Sequence, residues 1–167
     1  MTLTLLLLLT GLFLVACGDQ PSSGSTSGQS SGSATSRKLD PCALVSKEQA
    51  SAVLGATIDQ PTSQAVGPSS SCSYNPHSSL NILTVTVFDH TYTKDQFETE
   101  LKTSQALLKE TPQTVQGVGD EAIYFDSLLN VLKGDNYFVV SIVNPGLSEQ
   151  DKIEKLKQVA SQITQKL

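Results

Sequence analysis

The chain has 167 residues, with 11 Lys and Arg against 16 Asp and Glu, a net charge of −5, three cysteines and no tryptophan. Lysines and acidic residues are interspersed, so no clustered basic face exists, and nucleic acid is excluded as an expected partner. Hydrophobic periodicity is confined to residues 39–167, one domain's worth of chain, and no internal repeat is visible.

From Leu3 to Ala16 the chain is apolar except for Thr4, Thr10 and Gly11. This is the size of a signal h-region and falls short of the roughly 20 residues that cross a bilayer core. Leu14-Val15-Ala16-Cys17 closes the run and reads as a bacterial lipobox. Residues 1–16 are therefore expected to be a lipoprotein signal peptide, cut between Ala16 and Cys17, with a diacylglyceryl group on the Cys17 thiol. Only the α-amino group is positive ahead of the run, where signal peptides normally carry Lys or Arg. An ordinary cleaved signal and a short membrane anchor are the alternatives. Two acyl chains give stable anchoring, each buried methylene contributing about 0.8 kcal/mol. The expected location is the outer face of the cytoplasmic membrane, with the lipid as the membrane contact.

Residues 17–38 comprise this cysteine and a linker. Gly18 to Ser36 has 19 residues, of which 14 are Ser, Gly or Thr. Such a tract buries too little apolar surface to offset its ordering entropy and is expected to be a flexible tether with a reach of about 25 Å. Gly28-Gln29-Ser30-Ser31-Gly32 matches the hydrolase elbow GxSxG, but the elbow needs a strand before it and a helix after it. Neither is possible in this tract, so the match is accidental.

Within residues 39–167, three helices are predicted. Ser46 and Gln49 form a capping box, Ala50, Val53 and Leu54 give one apolar face, and Gly55 ends the helix. Cys72 to Asn75, ended by Pro76, reads as a short strand, whereas Gln60 to Ser71 is a polar loop without periodicity and a candidate contact surface. Leu83, Val85 and Val87 alternate with Thr84 and Thr86 as a half-buried strand. Thr93 and Gln96 repeat the capping box, Tyr92 is placed to staple onto Phe97, and Phe97, Leu101 and Leu108 recur until Pro112. Ala122 to Phe125, Leu128 to Lys133 and Tyr137 to Val143 read as a meander with turns at Asp126-Ser127 and Gly134-Asp135. The last of these strands is nearly all apolar, which predicts a central position covered on both faces. Ser148 and Asp151 open a final helix with Ile153, Leu156, Ala160, Ile163 and Leu167 as its stripe. The expected class is α+β: a single domain with a mostly antiparallel sheet of about five strands and three helices packed on it.

With Cys17 assigned to lipid, Cys42 and Cys72 remain as an even pair in an oxidising compartment. A structural disulfide closing about 30 residues contributes roughly 3.6 kcal/mol in the chain-entropy model. Two buried free thiols or a redox pair are the alternatives, although no CxxC motif is present.

Leu39-Asp40-Pro41-Cys42-Ala43-Leu44-Val45-Ser46, Leu54-Gly55, Cys72-Ser73-Tyr74 and Gly117-Val118-Gly119-Asp120-Glu121-Ala122 together carry a resemblance. The chain resembles a family of small extracytoplasmic lipoproteins, common in actinobacteria and catalogued as a domain of unknown function. The resemblance spans nearly all of residues 39–167, with Tyr74 where the family often has Trp. It implies a surface-tethered domain with a cysteine pair and supplies no active-site residues.

Gly117 to Ala122 also fits the dinucleotide pattern GxGxxA, but Thr114-Val115-Gln116 is a poor preceding strand and Ile123-Tyr124-Phe125 is not helical in pattern. A turn feeding a strand is the better reading, with Asp120 and Glu121 solvated or holding backbone amides. His77 and His90 are too isolated to form a metal site, and Ser-x-x-Lys does not occur. Catalytic, cofactor-binding and metal-binding residues are therefore all read as none. The expected function is a non-catalytic binding or interaction module of the cell envelope, with an unknown envelope protein or ligand as partner. The alternative is an envelope hydrolase with a dispersed active site.

Overall fold

A computed structural model describes residues 39–77, 80–108 and 111–167, with the backbone alone described at Leu108. The expected signal peptide, the cleavage between Ala16 and Cys17, the lipidation of Cys17 and the tether all lie outside the described residues. The elements run α1 (Pro41–Leu44), α2 (Lys47–Leu54), β1 (Thr62–Val66), β2 (Ser69–Tyr74), β3 (Ile82–Phe88), α3 (Lys94–Leu108), β4 (Gln113–Thr114), β5 (Glu121–Phe125), β6 (Leu128–Lys133), β7 (Asn136–Val143) and α4 (Glu149–Thr164). The strands form one antiparallel sheet in the order β1-β2-β3-β7-β6-β5-β4. The class is α+β, as expected, but the described residues hold seven strands and four helices rather than about five and three.

The extra strands have a physical reason for going unseen. All five residues of β1 are exposed, so it carries no hydrophobic alternation. In β2 the buried and half-buried positions do alternate, but Ser69, Ser70, Ser71 and Ser73 fill most of them. Gln60 to Ser71 is therefore a hairpin and not a loop. Its turn is Gly67-Pro68, and glycine is suited there because φ is +57°. The short β4 contributes two exposed residues.

One face of the sheet carries the main core. Leu83, Val85 and Val87 of β3 and Phe138, Val140 and Ile142 of β7 point to it, under α1, α2 and α4. The Ser46–Gln49 capping box is present on α2 and Gly55 caps its end, while Ser148 caps α4 by accepting from the Asp151 amide. Ile153, Leu156, Val159, Ala160 and Ile163 are the buried stripe of α4. Lys166 Nζ donates to the Leu44 carbonyl at 2.6 Å, tying the C-terminal end of the chain to α1.

The opposite face has a smaller cluster of Tyr92, Phe97, Leu101, Phe125, Leu132 and Tyr137 beneath α3. Thr93 caps that helix, with its amide donating to Gln96 Oε1 at 2.9 Å. This cluster covers only one end of β7. Tyr137 is buried, Val139 and Ser141 are half-buried and Val143 is exposed. β7 is central, as predicted, but only part of its second face is covered, because α3 is the sole helix on that side among the described residues.

Candidate functional site

The cysteines lie where α1 meets the sheet. Asp40 caps α1, its Oδ1 accepting the Cys42 amide at 2.9 Å. Cys42 is bonded to Cys72 of β2, with Cα atoms 5.1 Å apart. A second tie runs alongside: the buried Tyr74 hydroxyl donates to the Val45 carbonyl at 2.6 Å. Burial, and then the charge of Asp40, push the Tyr74 hydroxyl up to about 12. α1 is thus held on the sheet by a covalent bond and a buried hydrogen bond.

Between α1 and the end of the sheet lies an open cleft of about 460 Å³. Its helix side is Leu39, Asp40, Pro41 and Cys42; its strand side is Ser63 and Ala65 of β1 and Ser70 of β2. Ser70 is 6 % exposed, and its hydroxyl has no hydrogen-bond partner among the described residues. A buried hydroxyl without a partner costs free energy relative to a bonded one, and this one belongs to a residue in the wall of the cleft. Beyond the cleft, β1 is the end strand and, among the described residues, pairs on one side only, with β2.

A different group of side chains has the look of chemistry. At the β5–β6 turn, Asp126 and Ser127 both have positive φ, +50° and +60°, a backbone conformation that costs a non-glycine residue free energy and is found at functional sites. Lys152 Nζ donates to Ser127 Oγ at 3.4 Å and to Glu149 Oε1 at 2.6 Å. Glu149 also accepts from the Tyr124 hydroxyl. The Lys152 bond first, and the Tyr124 bond second, hold the Glu149 carboxyl below its usual range. Tyr124, Asp126, Ser127 and Glu149 flank a cleft of about 400 Å³. A serine nucleophile donates its proton to a base; here Ser127 accepts from an ammonium already paired with a carboxylate. The sequence gives no local sign of this cluster, because Ser127 and Lys152 are 25 positions apart.

The remaining candidates sit separately. His77 Nδ1 lies 3.3 Å from Asp59 Oδ2 on the surface. His90 lies over Tyr92 with ring centroids 4.4 Å apart, beside a cleft that Asp95 and Glu100 help line. The structure brings neither histidine into a metal set, and no group of three or more His, Cys, Asp or Glu residues suited to a metal occurs among the described residues. Gly117 to Ala122 turns into β5, not into a helix. Asp120 Oδ2 accepts the Gly134 amide at 2.7 Å, so this segment holds backbone amides as expected. No helix among the described residues is long and apolar enough to cross a membrane.

The fold and these sites define a small α+β domain with one antiparallel sheet, a covalently pinned first helix and an open end strand. The family model described as Protein of unknown function (DUF3558) matches residues 12–165, and the chain belongs to that family. No curated protein and no solved structure matches it.

Proposed function

We propose that the chain is a lipoprotein held at the outer face of the cytoplasmic membrane through diacylglyceryl Cys17, and that its domain is a non-catalytic recognition module of the cell envelope. The observation that carries the recognition role is β1. It is five residues long, exposed throughout and at the end of the sheet, and it contains no charge and no proline. Charges, prolines and short length are the usual protections of an end strand, and a strand without them is a template for another chain. The opposite end of the sheet, by contrast, is β4, only two residues long. The lipobox supports the membrane attachment, and the family match takes in Cys17.

The test places a photoreactive residue at Gln64 of the full-length protein in native membranes. A discrete cross-linked adduct is expected at β1, and its absence would overturn the recognition role. A second reading, an envelope hydrolase, is favoured by the strained Ser127 beside Lys152 and Glu149. It is separated by turnover on ester, peptide and glycan panels. The recognition module shows none, whereas hydrolysis abolished by Ser127→Ala would establish the enzyme.

A further inference from the structure

We propose that the cleft beside the Cys42–Cys72 bridge is a pocket for a Lys or Arg side chain, carried by an extended peptide laid along the free edge of β1. This rests on the recognition role above and names what is recognised. Ser63 and Ala65 are alternate residues of β1 and both line the cleft, paired in register with Cys72 and Ser70 of β2. The cleft therefore runs over one face of the last two strands. A strand added at the edge places every second side chain over that same face.

Length and chemistry then select the side chain. From an added strand, Ser70 lies two inter-strand spacings away, about 9–10 Å, so only a long side chain reaches it. Ser63 and Ala65 are small enough to leave the path open, and Leu39 and Pro41 give an apolar wall for a methylene stem. At the far side wait two acceptors: the unpartnered Ser70 hydroxyl, and the Asp40 carboxylate, which has no cationic partner among the described residues. An ammonium or guanidinium brings several donors and the opposite charge. A carboxylate side chain would be repelled by Asp40, and an aliphatic one would leave the Ser70 hydroxyl unmet.

The experiment selects binders for the full-length protein in detergent from a positional-scanning library of acetylated heptapeptide amides, with hydrogen exchange reporting the site. The expected result is Lys or Arg at one position, neighbours of high strand propensity, and slowed exchange at residues 62–66. Asp40→Asn keeps a helix-capping side chain, and Ser70→Ala removes a hydroxyl that the free protein leaves unpaired. Both variants should therefore melt no lower than the parent. They should nevertheless bind the selected peptide more weakly, by about tenfold for Asp40→Asn and about fivefold for Ser70→Ala. Selection of acidic or purely apolar peptides, selection of nothing, protection away from β1, or unchanged affinity in both variants would overturn the pocket. If the Gln64 adduct still forms, the recognition role stands and only the basic side chain is wrong; if the adduct is also absent, both fall.

Discussion

Asp120 closes a turn from two sides with one exposed carboxylate. It accepts the Gly134 amide at 2.7 Å and Lys133 Nζ at 2.9 Å, while its own amide donates to the Leu132 carbonyl at 2.8 Å. The Gly134 amide first, and Lys133 second, hold its carboxyl below the ordinary value of 3.8. A carboxyl lowered by folding contributes stability that is complete above its unfolded value and is lost as pH falls through the folded one. Asp120→Asn is therefore expected to cost about 0.5–1 kcal/mol at neutral pH, the screened worth of an exposed site. The difference should vanish in acid well under the unfolded value, as urea melts at the two pH values will show. Next to it, Gly119 has φ +60°, and a Cβ there would sit 2.5 Å from the Leu132 carbonyl oxygen and 2.7 Å from Val131 Cγ1. Backbone strain and the clash act together, so Gly119→Ala should cost about 2–4 kcal/mol in thermal or chemical melts. Cys72→Ala should cost about 2–4 kcal/mol by losing the cross-link, and the untreated wild-type chain should show neither Cys42 nor Cys72 as a free thiol.

Among the elements, those with an apolar face and a cap were legible from sequence. α2, α3, α4, β3 and the β5–β7 meander all fall where periodicity and turn residues place them, except that Leu167, expected on the stripe of α4, lies beyond the end of that helix at Thr164. The elements that were not legible are those whose stability comes from elsewhere. β1 is exposed throughout and stands on its ladder with β2; α1 is only four residues long and is held by Asp40, Pro41 and the bridge to Cys72. The candidate site shared that fate. The polar stretch Gln60 to Ser71 could be singled out as a contact surface, but the cleft arises only when Asp40 and Ser70 are brought together by the fold. α3 offers a test at this scale, because its face of the sheet is thinly covered. Phe97 is fully buried and packs edge-on against Tyr137 at a centroid distance of 5.4 Å. Phe97→Ala should cost about 3–5 kcal/mol, and hydrogen exchange should speed up across α3 before it does in α4.

For the whole molecule, the proposed arrangement is a lipid, a polar tract and one domain. Mass spectrometry of the mature protein should find a diacylated Cys17 with no residue before it, and Cys17→Ala should leave the chain uncut or released. Unmodified Cys17 on protein recovered from the medium would overturn the anchor. The bridge between α1 and β2 acquires a mechanical meaning in this arrangement. A pull between a membrane-held N-terminus and a partner gripping the domain arrives at Leu39 and reaches Cys42 almost at once. There the load crosses a covalent bond into β2 and spreads through its ladders to β1, where the proposed partner sits, and to β3. The chain between the two cysteines, a separation of 30 residues, cannot be drawn out while the bond holds, although β1 within it takes load from the partner through its ladder with β2. Pulled straight, that segment would measure about 100 Å. Single-molecule stretching from the N-terminus should therefore gain this length only after the bond is reduced.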